Sequence, residues 1–390
     1  MVILPSIYLP IQVEKPSQFL IWILMLVVYI PSQIIPTYSL GFREEYATFQ
    51  VVLFGCLSTI CGLGLLPTLK IPEMKWSLRI YVVGLLAYSV VIMGWIVSQV
   101  GFPTSIPSFA AVYEQRAAYN EAMSAPGPIA YLIAWQTSVI NPLLLLIGLH
   151  RRKWVIVATG ISLNVLMYAI AGHKSDLLSS VLVIAVFIMY SFASYWRGVL
   201  LAMGATAILL ISSVLWWVGD FIYPISIFVR RMIAVPGLLS GYYFEYFSEF
   251  GFTRQFGPLS ILLKPVEMPL STPRTIGLLY FGDSSTAANA NLWADAYSAL
   301  GYSGMVLTTL LLCLILWGMD SLMVSRPARV ATPLFVIAMY SLTNSALPTS
   351  LLTHGILFTV LMIIFYPSTK YSIDTNSSKV SDTSVHRSVS

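Results

Sequence analysis

The chain has 390 residues, 57% of them hydrophobic and only 9% charged, with a mean hydropathy of +0.81. So sparse a charge cannot coat a soluble globule, and the composition excludes one. The net charge of +5 needs a topological explanation before it is read as a sign of nucleic-acid binding.

Apolar runs long enough to cross a hydrocarbon core of about 30 Å at 1.5 Å per residue occur at 18–36, 47–68, 79–100, 129–149, 154–171, 177–193, 198–219, 293–317, 330–345 and 351–367. This predicts an all-α polytopic bundle of about ten transmembrane helices with one large external loop containing interfacial helices. The expected divisions are membrane segments 1–219 and 292–367, an external loop 220–291 and a disordered cytoplasmic tail 368–390. The segment before the first run carries Pro5, Pro10, Glu14 and Lys15 without a small-residue cleavage site, so that run reads as a retained anchor.

Basic residues fix the expected orientation. With the N-terminus inside, the cytoplasmic side receives Lys15, Lys70, Lys75, Arg79, Arg151, Arg152, Lys153, Arg197, Arg326, Arg329 and the tail's Lys370, Lys379 and Arg387, which is 13 of the 21 basic residues. Short external loops keep Arg43, Arg116 and Lys174. Counting acids as well gives +8 inside and −3 outside, so both termini are expected in the cytoplasm. The basic balance thus reflects topology, and no nucleic-acid partner is expected. Cys56, Cys61 and Cys313 all fall in apolar runs, where free thiols behave as small hydrophobes.

Three outward stretches stand out. In 101–128, Arg116 sits among Tyr113, Glu114, Tyr119, Asn120 and Glu121, as either an interfacial helix with internal ion pairing or a binding loop. The turn Gly172-His173-Lys174-Ser175-Asp176 reads either as a hinge with Asp176 as cap or as part of a site. The 220–291 loop holds Arg230, Arg231, Arg254, Lys264 and Arg274. Its Tyr242, Tyr243, Tyr246, Phe247 and Phe250 recur at helical spacing, as an amphipathic interfacial helix or as sugar-stacking rings. Arginines at headgroup depth meet either anionic lipid or a phosphate held by the guanidinium fork.

A hydrophobic protein of this layout resembles the Wzy-type O-antigen polymerases, which join oligosaccharide repeat units. Arg-x10-Gly motifs in two external loops are described in that family, and Arg116 with Gly127 and Arg230 with Gly241 have that spacing here. The Gly172–Asp176 turn is similar to Gly-x-Lys-Ser turns of these enzymes. The stretch from Asn289 through Asn291, Trp293, Asp295 and Tyr297 to Gly301 and Gly304 resembles the segment where their large loop re-enters the membrane.

The resemblance implies a bacterial inner-membrane glycosyltransferase whose substrate is an oligosaccharide on undecaprenyl pyrophosphate. It needs no cofactor or metal and has a chain-length regulator as a partner. An acceptor hydroxyl would attack the anomeric carbon as the lipid pyrophosphate leaves. On that reading Arg230 and Arg116 stabilise the leaving group and His173 is the preferred base. Arg231, Lys174, Arg254, Arg274, Tyr242, Tyr243, Glu245, Asp283 and Asn291 bind substrate. Asp176, Glu245, Glu249, Asp283, Asp295 and His354 are the other candidate bases. An O-antigen ligase shares this logic and stays open, as does a transporter, although no internal repeat is evident.

Overall fold

The computed structural model describes residues 2–41, 44–108, 111–123, 127–257 and 260–367. Arg43 and the tail from 368 lie outside them. Helices dominate, and the isolated β-bridge between Met74 and Pro367 is the only one found among the described residues.

Nine helices among the described residues are long and apolar enough to cross a membrane: Pro16–Ser39, Glu44–Leu65, Leu78–Val100, Gly127–Arg151, Trp154–Ala171, Ser194–Gly219, Ile222–Phe250, Leu292–Leu322 and Leu347–Ile364. The runs expected at 177–193 and 330–345 lie on the shorter helices Lys174–Met189 and Ala328–Thr343. Ile222–Phe250 occupies residues expected to open the external loop. Arg230, Arg231, Glu245 and Glu249 make it the least apolar of the nine, which is why its length is hidden in the sequence.

The described residues form two compact units: those within 2–68, 188–320 and 336–356 make the first, and those within 69–187, 321–335 and 357–367 the second. In the first unit, the second half of Ile222–Phe250 runs parallel to the end of Pro16–Ser39. A Cβ on Gly237 would stand 2.7 Å from the Pro31 carbonyl oxygen, and one on Gly241 would stand 2.7 Å from Pro36 Cβ. Glycine at these positions lets the backbones approach closely, as small residues do between membrane helices. The buried Ser32 and Ser240 hydroxyls meet across this contact at 2.8 Å, and Asn291 Nδ2 donates to Ser240 Oγ at 2.8 Å. Beside them Tyr46, Phe49, Phe244 and Tyr297 form an edge-to-face aromatic cluster.

Leu292–Leu322 is two arms. Leu300 (φ −141°, ψ 17°) and Gly301 (φ 62°, ψ −144°) leave helical geometry. Trp293 Nε1 donates to Thr309 Oγ1 at 2.9 Å across 16 positions, a separation that a straight helix would stretch to about 24 Å. Residues 292–299 therefore fold back along the arm that starts near 302. The carbonyls freed at the break are satisfied from elsewhere: Thr253 N–H donates to Ser298 O and Arg254 N–H to Ala299 O, each at 2.9 Å. Broken backbone at membrane depth requires such partners.

In the second unit, Gly127–Arg151 and Trp154–Ala171 form a tight antiparallel pair, with Gly148 against Val157 and Gly160 against Leu145. Through it runs a buried polar chain. Gln136 Nε2 donates to Ser89 Oγ at 3.0 Å and to Asn141 Oδ1 at 2.6 Å; Asn141 Nδ2 donates to Asn164 Oδ1 at 2.8 Å; Asn164 Nδ2 donates to Ser180 Oγ at 2.7 Å. Gln136 opens a π-helical stretch, Gln136–Ile140, which shifts the helical register where the chain begins. At another point of this unit, buried Arg326 donates to the carbonyls of Pro72, Ile363 and Ile364.

Asn164 is an interior link, accepting from Asn141 and donating to Ser180. Asn164→Val should cost about 1–2 kcal/mol, the scale of interhelical hydrogen bonds in membranes. Unfolding of purified wild-type and variant protein in detergent would measure it, and equal stability would refute a structural role for the chain.

Candidate functional site

The first unit contains a cavity of about 700 Å³, within the range of small-molecule sites. Hydroxyl and amide side chains make up most of its polar lining: Thr253, Gln255, Ser260, Ser271, Thr272, Asn289, Ser298, Asn344, Ser345 and Thr349. Asp295 is the only carboxylate and His354 the only imidazole among the described lining residues. Neutral donors and acceptors of this kind complement a ligand rich in hydroxyl groups without requiring charge on it.

The fold explains how four separate stretches reach one cavity. Asn291 caps the first arm of the hairpin, its Oδ1 accepting from the N–H groups of Trp293 at 3.1 Å and Ala294 at 3.2 Å. That arm presents Asp295 and Ser298 to the cavity. The 253–266 loop is closed by the Val266 N–H donating to Thr253 O at 2.9 Å, and by Phe256 N–H donating to Ser260 Oγ at 2.8 Å. Residues 344–349 follow a short 3-10 turn, Ser341–Thr343. His354 lies in the bend before Gly355 (φ 77°), which divides Leu347–Leu352 from Ile356–Ile364.

Three cations flank lining residues in the chain. Arg254 sits between Thr253 and Gln255, Lys264 precedes Pro265 and Arg274 follows Pro273, and all three are exposed. Arg254 (φ 56°) and Lys264 (φ 51°) hold left-handed backbone that favours glycine. Strain of this kind, of order 1 kcal/mol or more per residue, concentrates at functional sites.

The other expected site residues of this unit are distributed differently. Arg230 and Arg231 are exposed on the π-helical stretch Ile225–Ala234. Tyr242 stacks on Tyr280 with ring centroids 4.0 Å apart, and Tyr280 Oη donates to Glu245 Oε2 at 3.1 Å. Tyr243 is fully buried, and its hydroxyl donates to Ala288 O at 2.9 Å, which makes it a strut behind the cavity wall. Asp283 is exposed and closes a turn, accepting from Ser285 and Thr286. Those hydrogen bonds hold its carboxyl below the ordinary range. Asn291 is buried and spends its amide on the cap and on Ser240.

Arg116, His173 and Lys174 belong to the second unit. Gly172 (φ 67°) ends Trp154–Ala171, and a Cβ there would stand 2.8 Å from Val112 O, so Val112–Ala122 rests directly on the turn. Arg116 Nη2 donates to Gly172 O at 3.2 Å and Gln115 Nε2 to Ile170 O at 2.8 Å, capping the helix end. The Tyr119 ring stands edge-on to His173 at 6.4 Å. Burial, and then the Arg116 charge, push the His173 imidazole below its ordinary pKa.

Asp176 in the same turn is buried, and its Oδ2 has no hydrogen-bond partner among the described residues. Burial raises its pKa to about 7, against smaller opposing effects of Ser175 and Arg116. A carboxyl raised on folding favours the protonated fold. Its stabilising contribution is complete below pH 4 and lost as pH rises toward about 7. Asp176→Asn should therefore match the wild type in acid and exceed its thermal stability above pH 7. Melting curves against pH in detergent test this, and parallel curves across the range would refute it.

The sequence offers Asp295 and His354 as candidate bases, with Asp295 also in the stretch that resembles a re-entrant segment, but it does not mark Ser298, Asn344 or Thr349. The available signal was the polar run 343–350, which interrupts two apolar stretches. Comparison of the chain with family models, characterised proteins and solved structures finds no match.

Proposed function

We propose that this chain is an O-antigen polymerase, a glycosyltransferase that joins repeat units carried on undecaprenyl pyrophosphate. The observation that carries the reading is the cavity itself: a neutral hydroxyl-and-amide lining, one carboxylate, one imidazole and three exposed cations flanking the lining residues. Sugars suit the lining and a lipid pyrophosphate suits the cations.

On this reading the acceptor sugar enters the cavity while Arg254, Lys264 and Arg274 hold the donor's pyrophosphate. The acceptor hydroxyl attacks the anomeric carbon, and the bond from that carbon to the pyrophosphate oxygen breaks. Cations placed at the departing oxygen stabilise the charge that grows there. Exposed Arg230 and Arg231 suit the anionic headgroup region and Tyr242 suits sugar stacking. The second unit supplies two further cations, Arg116 on Val112–Ala122 and Lys174 on the predicted outward turn.

Topology supports the same side for the cavity. The parallel packing of 235–250 on 30–39 brings Gly241 against Leu40 at the end of the first span, and the helix continues past that end to Phe250. The positive-inside rule favours the outer side for that end, in keeping with a bacterial inner-membrane protein with both termini in the cytoplasm. A separate chain-length regulator would set how many units are joined.

A deletion strain should show single repeat units on the lipid A core and no ladder of longer chains. Complete loss of core-linked glycan with accumulated lipid-linked chains would indicate a ligase. Arg254→Ala and Arg274→Ala should each lower chain extension about 100-fold, the scale of one transition-state donor, with partial return in the lysine variants. Arg230→Ala and Arg116→Ala should also shorten the ladder. Unchanged ladders from all four alanine variants, each shown to be inserted in the membrane, would defeat the reading.

A further inference from the structure

The geometry points to Asp295 as the catalytic base that takes the proton from the acceptor hydroxyl, a role that rests on the glycosyl-transfer reading above.

Position is the first argument. Asp295 lines the cavity and is half-buried there, as a group in contact with both protein and ligand must be. Neither His173 nor Glu245 is among the residues that line the cavity, and Glu245 already accepts from Tyr280. Asp283 is committed to a turn by three hydrogen bonds from Ser285 and Thr286.

Rigidity is the second. Asp295 sits one turn into the folded-back arm, which is fixed at three points: the Asn291 cap at its start, Trp293 bound to Thr309, and the Ser298 and Ala299 carbonyls held by Thr253 and Arg254. The Asp295 N–H itself donates to Asn291 O at 2.9 Å. A base works only within hydrogen-bonding reach of its proton, and a locked arm supplies that reach without a search.

Availability is the third. No Lys, Arg or His forms an ion pair with Asp295 among the described residues, so its lone pairs are not spent on a cation. His354 shares the cavity lining with Asp295, and Tyr243, which interacts electrostatically with Asp295, has its hydroxyl engaged by Ala288.

The step balances without a co-reactant. The acceptor O–H bond breaks with its proton passing to an Asp295 oxygen, and the acceptor oxygen bonds to the anomeric carbon. The bond from that carbon to the pyrophosphate breaks, and its electron pair leaves on the pyrophosphate. Protonated Asp295 then loses its proton to water, resetting the site.

The test uses the full chain in liposomes with a lipid-pyrophosphate-linked repeat unit as substrate, reading chain extension, substrate affinity and the pH–rate profile. Asp295→Asn should lower the maximal rate at least 100-fold with affinity unchanged, and should lose the acidic limb of the profile. Asp295→Glu should restore part of the rate and keep that limb, and added formate should partly restore Asp295→Gly. His354→Gln should keep the acidic limb. Wild-type rate and profile in Asp295→Asn, or loss of the limb in His354→Gln alone, would overturn the assignment while leaving the polymerase reading intact. If Asp295→Asn does not fold, the glutamate and glycine-plus-formate arms decide: no carboxylate dependence in either overturns it. Wild-type protein that moves lipid-linked sugar without extending it would instead defeat the polymerase reading itself.

Discussion

Close backbone approach at Gly237 and Gly241 is the constraint on which the first unit depends. Lipid tails are as apolar as leucine side chains, so two membrane helices gain little from merely hiding apolar surface from one another. They gain from contact, and where a Cβ would stand 2.7 Å from its neighbour there is room for hydrogen alone. The approach also brings Ser240 to Ser32, and Asn291 completes the set. Through Asn291 the packing of two long helices fixes the start of the folded-back arm, and with it the floor of the cavity.

The second unit solves a similar problem with polar side chains. Four residues from four helices, Ser89, Gln136, Asn164 and Ser180, are linked through Asn141, all buried. An amide that satisfies another amide avoids the several kcal/mol that an orphan would cost in hydrocarbon. It also fixes register, because a helix slipped by one residue would break every link.

Much of the membrane architecture was legible in the sequence, because apolar runs of span length carry their own signal. Three features were not. Ile222–Phe250 is diluted by Arg230, Arg231, Glu245 and Glu249, so its single long helix reads as a loop entry. Leu292–Leu322 errs in the opposite way: both arms of the hairpin are apolar, and a hydropathy window cannot see the reversal at Leu300–Gly301. The cavity assembles residues up to about a hundred positions apart, such as Thr253 and His354, and no local pattern joins them. Arginine was the sequence's loudest signal, yet the lining is made chiefly of serine, threonine and asparagine, residue types that are unremarked when met singly.

The two backbone donors that hold the hairpin's broken end belong to Thr253 and Arg254, and the hydroxyl that anchors its start belongs to Ser240. All three precede residues 292–299 in the chain. As the polypeptide leaves the ribosome, the anchoring groups therefore exist before the segment they must restrain. The first arm follows its anchors out of the ribosome, and the arm that carries Thr309 follows it in turn.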